Sequence, residues 1–131
     1  MGRNPVIILD TCGLLWLAGD PSVLSPRARA RLDGESQVGV SAISAFEIGL
    51  KWLARKLELP VPPGEWWDAV VAHHDLEVLP VDAQVAIRAS QLPPIHRDPA
   101  DRFIIATAER YDAPVVTADS RFGEYGIQLL R

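Results

Sequence analysis

The sequence is poor in cysteine and in long apolar runs. Its 131 residues include one cysteine, which can form no internal disulfide and provides no zinc cluster. No apolar run approaches the roughly 20 residues that a membrane-spanning helix requires, and the N-terminus leads straight into a strand-like segment instead of a targeting segment. We therefore expect a cytoplasmic protein that has no membrane partner.

Lysine is scarce as well. Of the thirteen basic residues eleven are Arg and two are Lys, and the formal net charge is −4. A negative net charge argues against a protein that coats nucleic acid nonspecifically, because such proteins present a broad basic surface. The planar fork of Arg suits bidentate contact with phosphate or carboxylate, although a GC-rich genome would also favour arginine codons. The bias alone leaves both explanations open.

Several motifs of common α/β proteins are missing. Neither a Walker A motif nor a dinucleotide-binding glycine motif occurs. A haloacid-dehalogenase-type phosphatase needs a second Asp two residues after Asp10, where Cys12 stands. A response-regulator receiver needs an acidic pair after the first strand and a Lys near the last one, but no Lys follows Lys56. These absences exclude four common classes of α/β protein.

The sequence does contain an alternation of strand-like and helix-like segments. Strands are predicted at 5–10, 37–40, 76–79, 114–117 and 127–130. Helices are predicted at 13–18, 25–34, 41–57, 65–74, 82–92 and 99–111. This alternation is typical of a mostly parallel sheet covered on both faces. We expect one three-layer α/β/α domain, spanning residues 1–131, with a central sheet of four to five strands.

Four acidic residues fall where such a fold brings distant segments together. Asp10 ends the apolar run 6–9, and Asp119 lies just past the predicted strand 114–117. Glu47 and Asp101 fall in the opening turns of two predicted helices, which begin where the preceding parallel strands end. In open α/β sheets this carboxyl edge is where ligands bind. We therefore expect the four acids to meet at one edge of the sheet.

Each acid also has a structural explanation. Asp10 fits the N-cap of the short helix that follows it, and Asp119 fits a turn residue. Glu47 fits a capping box begun by Ser44, and it has the i,i+4 spacing of an ion pair with Lys51. Taken singly, these alternatives stay open.

The segment Asp98-Pro99-Ala100-Asp101 begins a helix by several rules. Asp98 fits the N-cap, Pro99 fits the first helical position, and Asp101 lies in the first turn near the positive end of the helix dipole. Capping explains Asp98 well and Asp101 less well, because Asp101 shares a helix face with residues predicted to be buried. None of these structural explanations predicts that four separate acids meet.

Carboxylates gathered at one place favour a metal centre. They repel one another and raise one another's pKa unless a cation lies between them. Oxygen ligands without His or Cys favour Mg²⁺ or Mn²⁺ over zinc. Such a cation activates water and stabilises charge on phosphate oxygens. The four acids therefore predict phosphodiester hydrolysis.

Four motifs occur in a specific order and spacing. They are Leu9-Asp10-Thr11, Ser41-Ala42-Ile43-Ser44-Ala45-Phe46-Glu47-Ile48-Gly49-Leu50-Lys51, His96-Arg97-Asp98-Pro99-Ala100-Asp101-Arg102 and Val116-Thr117-Ala118-Asp119. In them the chain resembles the PIN-domain ribonucleases, and among these the VapC-type toxins of toxin-antitoxin pairs. The resemblance is collinear over essentially the whole chain. It departs at Phe46, where many relatives have Trp, and this concerns packing rather than chemistry.

The resemblance implies a PIN-like fold and a metal-dependent endoribonuclease that cuts structured RNA, chiefly tRNA and sometimes ribosomal RNA. It also implies a homodimer and a cognate VapB-like antitoxin whose tail occupies the active-site groove. Its metal-holding catalytic acids are Asp10, Glu47, Asp101 and Asp119, with Mg²⁺ or Mn²⁺ as the cofactor. Beside these acids, Asp98 is a neighbour of uncertain role, and Thr11 and Thr117 orient the carboxylates or their waters.

Other residues have weaker assignments. Arg97 and Arg102 are predicted substrate contacts because they flank Asp101. Trp52 and the pair Trp66-Trp67 belong either to the core or to a groove for an antitoxin segment. The three histidines, His73, His74 and His96, show no metal-ligand spacing and are interpreted as structural or exposed. Two other functions remain: a PIN-fold binding module without catalysis, and a DNA nuclease of related fold.

Overall fold

The computed structural model describes residues 5, 7–34 and 37–131 of the chain. The strands are β1 (Ile7–Leu9), β2 (Val38–Ser41), β3 (Glu77–Leu79), β4 (Val115–Val116) and β5 (Leu129–Leu130). The α-helices are α1 (Thr11–Gly19), α2 (Pro26–Gly34), α3 (Ala42–Leu53), α4 (Pro63–His73), α5 (Ala83–Gln91) and α6 (Pro99–Tyr111). Two 3₁₀ helices cover Pro21–Val23 and Ser120–Tyr125. None of the helices described here is long and apolar enough to cross a membrane.

The five strands form one parallel sheet in the order β3-β2-β1-β4-β5. Strand β1 is central, and its last residue, Leu9, is paired with Val40 on one side and with Val116 on the other. The chain winds outward in one direction from β1 to β3 and in the other from β4 to β5. The carboxyl ends of β1 and β4 therefore flank the switch point, where open α/β sheets bind ligands.

Successive residues of β1 pack against opposite layers of helices. Ile7 and Leu9 belong to an apolar cluster with Leu14 of α1 and Ile48 of α3. Ile8 belongs to a second cluster, which contains the fully buried Ile104 and Ile105 of α6. Because side chains alternate along a strand, a strand covered on both faces is apolar throughout. The predicted three-layer α/β/α fold with a parallel sheet of four to five strands is confirmed.

The predicted boundaries differ from the observed ones at several places. The helix predicted over 41–57 ends at Leu53, because Arg55 has a left-handed backbone with φ of 60°, which stops an α-helix. The helix predicted from 65 begins earlier, with Pro63 in its first turn. The 3₁₀ helix after β4 was not predicted. Residue 6 of the predicted strand 5–10 lies outside the described residues.

Candidate functional site

Asp10 lies directly after β1 and is held on both its backbone and its side chain. Its amide donates to the carbonyl of Val116 at 3.2 Å, and its Oδ1 accepts from the amide of Gly13 at 2.6 Å. A Cβ on Gly13 would lie 2.7 Å from the Val116 carbonyl oxygen, so only glycine allows this close approach. Asp10 is therefore the N-cap of α1, as the structural explanation required, and it is also buried at the sheet edge.

Glu47 is oriented by Thr11 of another helix and not by a capping box. The N-cap of α3 is Ser41, whose hydroxyl accepts from the amide of Ile43 at 3.1 Å. Glu47 Oε1 instead accepts a hydrogen bond of 2.5 Å from Thr11 Oγ1. The hydroxyls of Thr11 and Ser44 are themselves hydrogen-bonded at 2.9 Å. These contacts fix the Glu47 carboxylate beside the start of α1.

Asp101 lies in the first turn of α6. The N-cap of this helix is Asp98, whose Oδ1 accepts from the amide of Ala100 at 2.9 Å. Burial, the charge of Asp98 and the charges of Glu47 and Asp10 raise the pKa of Asp101 to about 7, although His96 acts in the opposite direction. The capping interpretation of Asp98 therefore agrees with its geometry, whereas Asp101 has no capping bond and belongs to the acidic group.

Asp119 follows β4 and is the N-cap of the 3₁₀ helix. Its Oδ1 accepts from the amide of Arg121 at 3.0 Å, and the Arg121 guanidinium binds both carboxylate oxygens, at 3.0 Å through Nε and 2.8 Å through one terminal nitrogen. These hydrogen bonds from Arg121 hold the pKa of Asp119 well below its usual range. Arg121 thus occupies the carboxylate that a metal would need, so Asp119 is the least available of the four acids in this conformation.

Thr117 connects two of the acids. Its Oγ1 accepts from the amide of Asp119 at 3.0 Å, and its side chain is hydrogen-bonded to Asp10. It is almost completely buried, with 1% of its surface exposed. The bond from Thr117 lowers the pKa of Asp10, but burial is the larger effect and raises it. Thr117 therefore lies where an orienting residue is expected.

The imidazole of His96 lies between two of the acids, a contact that the sequence did not predict. Its Nε2 is 2.8 Å from Asp119 Oδ2 and 3.2 Å from Asp101 Oδ2. The side chain is 2% exposed. One ligand atom from each of these three residues lies within 4.8 Å of the others. His96 is thus structural, as interpreted from the sequence, but it belongs to the site.

The four predicted acids lie near one another at the switch point of the sheet, close enough for their charges to affect one another's pKa. The charges of Glu47 and Asp119 contribute to the raised pKa of Asp10, and those of Glu47 and Asp10 contribute to the raised pKa of Asp101. Among the residues that the structure describes, the group whose ligand atoms all lie within 4.8 Å of one another is His96, Asp101 and Asp119. The cluster combines one buried acid, Asp10, and three partly buried ones with the guanidinium contact of Arg121 on Asp119. Because such carboxylates are unfavourable without a cation, and hard oxygen donors suit Mg²⁺ or Mn²⁺, the donor set fits a divalent metal.

The two flanking arginines have different surroundings. The guanidinium of Arg102 donates to the backbone carbonyls of four residues, Ala89, Leu92, Pro93 and His96, at 2.7 to 3.1 Å. Because these carbonyls occupy the donors of Arg102, the side chain is better suited to hold the segment before α6 than to make the substrate contact predicted for it. Both arginines line a cavity of about 340 Å³, and Arg97 is exposed. Arg97 therefore remains the better placed of the two to contact a substrate.

The tryptophans divide between core and surface. Trp66 is 8% exposed and belongs to the first apolar cluster, and Trp67 packs against the same cluster. Trp52 is 41% exposed and lines an open groove of about 650 Å³ at the C-terminal end of α3. The pair Trp66-Trp67 is therefore core, and Trp52 contributes to a surface groove.

Comparison with known proteins identifies the group to which this arrangement belongs. The family model of the PIN domain matches residues 7–128. Ribonuclease VapC22 of Mycobacterium tuberculosis (strain ATCC 25618 / H37Rv) is 33% identical over 118 residues, which cover 88% of each chain. The chain belongs to the PIN-domain family. The resemblance drawn from the four sequence motifs, including its VapC type, is confirmed.

Solved structures share the fold of this PIN-domain chain over nearly its whole length. DNA-bound VapBC from Salmonella typhimurium is 25% identical, with a TM-score of 0.65 and coverage of 95% of this chain and 96% of that one. VapBC2 from Rickettsia felis, bound to a promoter DNA fragment, is 16% identical, with a TM-score of 0.67 and coverage of 94% and 96%. FitAcB from Neisseria gonorrhoeae is 24% identical, with a TM-score of 0.61 and coverage of 95% and 96%.

Proposed function

We propose that this VapC-type PIN-domain chain is a metal-dependent endoribonuclease and the toxin of a VapBC-type toxin-antitoxin pair. The observation that carries the proposal is the convergence of Asp10, Glu47 and Asp101 at the sheet edge, where the pKa of Asp101 is raised to about 7. The named relative, a VapC ribonuclease, supports the same activity. The substrate class we propose is structured RNA such as tRNA or ribosomal RNA.

Asp10, Glu47 and Asp101 would hold Mg²⁺ or Mn²⁺, and Asp119 would join them once Arg121 releases it. When bound, the cation lowers the pKa of water and stabilises charge on the phosphate oxygens during hydrolysis. The protein contributes rigid ligands: Asp10 is fixed by the Gly13 amide and Glu47 by the Thr11 hydroxyl. A ligand held in place before the cation arrives loses little entropy when it binds.

The arginines beside the acids would position the RNA backbone. Arg97 is exposed next to the start of α6, and the Arg121 side chain is 51% exposed while it contacts Asp119. A guanidinium released from Asp119 by a cation is free to bind a phosphate in bidentate fashion. We therefore propose Arg97 and Arg121 as phosphate contacts, in preference to Arg102.

We propose that a VapB-like antitoxin segment occupies the groove beside the acids. This groove of about 320 Å³ has apolar walls that include Phe46, Leu50 and Pro99, and its charged residues are Glu47, Asp98 and Lys51. Phe46 and Leu50 are 60% and 50% exposed, which favours a protein contact. Apolar side chains of the segment would cover them, and an Arg or Lys would compensate the acids, since uncompensated carboxylates are unfavourable to bury.

A homodimer in the cytoplasm is the assembly that we propose for the free toxin. The partner and the dimer are tested separately. Replacing the antitoxin's basic residue by Ala should weaken inhibition, and equal inhibition without any basic residue near the acids would refute this mode of binding. Sedimentation equilibrium of the free chain should give twice the monomer mass.

The activity is tested by incubating the purified protein with total RNA in Mn²⁺, in Mg²⁺ and in EDTA, and mapping the cut ends. We expect discrete cuts that EDTA abolishes, no cutting by Asp101→Asn, and no cutting of single-stranded DNA of matched sequence. Cutting of the DNA would favour a DNA nuclease. RNA that is bound but not cut in either metal would favour a binding module without catalysis.

A further inference from the structure

We infer that His96 is a positioning residue for the metal centre: its Nε2–H holds Asp119 and lies against Asp101, and the imidazole is not itself a ligand. This inference rests on the proposed metal-dependent function. It assigns a role to a buried side chain that connects two acids from different elements, with Nε2 2.8 Å from Asp119 and 3.2 Å from Asp101. Asp101 is on α6 and Asp119 follows β4, so one ring joins both sides of the cluster.

His96 is fixed by contacts on its backbone and its ring. Its amide donates to the hydroxyl oxygen of Tyr125 at 2.8 Å, and its carbonyl accepts from Arg102 at 2.9 Å. The ring meets Phe122 edge to face, with centroids 5.9 Å apart. Tyr125 in turn donates to the carbonyl of Pro93 at 2.7 Å. A ring held in so many places can transmit a fixed position to the carboxylates it touches.

The tautomer decides between a positioning role and a ligand role. The amide of Asp98 donates to His96 Nδ1 at 3.2 Å, so Nδ1 is an acceptor and the ring proton lies on Nε2. A nitrogen that carries a proton donates hydrogen bonds and does not bind a metal. Since Nε2 is hydrogen-bonded to Asp119, its proton is directed at that carboxylate, with Asp101 Oδ2 3.2 Å from the nitrogen. The set of three residues that looks like a metal triad is therefore an imidazole hydrogen-bonded to Asp119 and in close contact with Asp101.

The two roles predict different metal preferences. An imidazole ligand would favour Mn²⁺ over Mg²⁺, because nitrogen donors suit transition metals while Mg²⁺ prefers oxygen. A positioning residue acts only through the carboxylates, so its loss should weaken the binding of both cations alike. Affinities for the two ions therefore separate the roles without any measurement of RNA cleavage.

The experiment uses the full chain and three variants. His96→Gln keeps a nitrogen donor near the place of Nε2, His96→Asn keeps an acceptor for the Asp98 amide but is too short to reach the acids, and His73→Gln changes an exposed histidine as a control. Calorimetric titration with Mg²⁺ and Mn²⁺ at one pH should show about 10- to 100-fold weaker binding of both ions by His96→Asn. His96→Gln should recover most of this loss, and His73→Gln should match the wild type.

Nitrogen NMR of the histidine-labelled wild type removes any dependence on how well the variants fold. We expect the His96 proton on Nε2 both in EDTA and in saturating Mg²⁺. A proton that moves to Nδ1 when Mg²⁺ binds, or a His96→Asn variant that loses affinity for Mn²⁺ only, would make His96 a ligand and overturn the inference. Unchanged affinity of a folded His96→Asn variant for both ions would overturn it too. If Asp101→Asn also binds both ions normally, the proposed metal centre itself fails.

Discussion

Thr11 donates a hydrogen bond of 2.5 Å to Glu47, which lies 36 residues further along the chain. Thr11 is the first residue of α1, whereas Glu47 is in the middle of α3. The bond directs a long side chain toward the sheet edge, where Asp10 is already fixed by its capping bond. Since Thr11 is 4% exposed and Ser44 is fully buried, water cannot easily replace this contact.

Thr11→Val should weaken both stability and metal binding. Valine has the same shape but no hydroxyl, so it leaves Glu47 unrestrained and the buried Ser44 hydroxyl without its partner. We expect a loss of about 1 to 3 kcal/mol in the free energy of unfolding in EDTA. Mn²⁺ affinity should fall about tenfold or more. Urea denaturation and calorimetric titration measure the two effects.

Thr11→Ser is the matched control because it keeps the hydroxyl. It should retain most of the metal affinity, with only a small loss of packing. A Thr11→Val protein that binds Mn²⁺ as tightly as Thr11→Ser would show that Glu47 reaches the metal without help, and the role predicted for Thr11 would be wrong.

Local sequence was enough to predict the acidic edge. An apolar run followed by Asp10, and another followed by Thr117 and Asp119, are patterns of strand ends, and parallel strands bring such ends together. The N-cap at Asp98 was equally local, because an Asp-Pro pair at a helix start follows from backbone geometry. These parts of the fold and site depend on short-range rules.

The contacts of His96 and Arg102 were not predictable in the same way. His96 lies 23 residues from Asp119 in the chain, and no spacing rule relates an imidazole before α6 to an acid after β4. Arg102 was predicted to contact substrate because it adjoins Asp101, but it donates to four backbone carbonyls, one in α5 and three in the segment between α5 and α6. Both contacts depend on tertiary packing, which sequence patterns do not contain.

The end of α3 was missed for a similar reason. Residues 54–57 are good helix formers and Leu57 continues the apolar spacing of the helix, so the pattern predicted a longer helix. The chain instead leaves the helix, with Arg55 in a left-handed conformation, and Leu57 and Leu59 then pack against the core from the irregular segment that follows. Tertiary packing of these two leucines overrides the local preference.

The metal-free protein should become less stable as pH rises. Folding raises the pKa of Asp101 from 3.8 to about 7, so between these values the native state binds more protons than the unfolded state. Stability from this group is therefore full below the unfolded pKa and is lost as pH rises through the folded pKa. The slope for one group is at most about 1.4 kcal/mol per pH unit.

The comparison is made between wild type and Asp101→Asn by urea denaturation in EDTA from pH 4.5 to 7.5. As pH rises, the unfolding free energy of the wild type should decrease relative to that of Asp101→Asn. The lowered pKa of Asp119 affects stability at pH values below 3.8, outside this range. The lowered pKa of His74 affects the stability of both proteins alike. Asp68→Asn, which removes an exposed acid of α4, should run parallel to the wild type. Parallel curves for Asp101→Asn would contradict the raised pKa.

Substitution of Arg102 should affect stability, whereas substitution of Arg97 should affect RNA binding. Arg102→Lys keeps the charge but loses the planar fork, so several of the four carbonyls lose their donors, at a cost of about 1 to 3 kcal/mol. Arg97→Ala should leave the melting temperature unchanged and weaken RNA binding. Melting in EDTA and filter binding of tRNA by the inactive Asp101→Asn protein measure both. Weaker RNA binding by a folded Arg102→Lys protein, with Arg97→Ala unaffected, would reverse the two roles.

A melting experiment with Asp10→Asn tests whether the acids form one metal centre. Asn keeps the oxygen that accepts from Gly13, so the cap survives while like-charge repulsion with Glu47 and Asp119 falls. In EDTA the variant should therefore be as stable as the wild type or more stable. Mn²⁺ should stabilise the wild type by roughly 2.7 kcal/mol at a hundred times the dissociation constant, and the variant by much less.

Asp98→Asn is the control for this experiment, because it changes an acidic helix cap near the cluster and Asn also caps helices. It should keep most of the wild-type response to Mn²⁺. If the acids were independent caps, divalent ions would shift the melting temperatures of wild type and Asp10→Asn equally. Removing the charge of Asp10 would then cost about 0.5 to 1 kcal/mol with or without metal, since a cap acts through the helix end alone. Equal responses in these two proteins would therefore remove the basis for a shared metal centre at the end of β1.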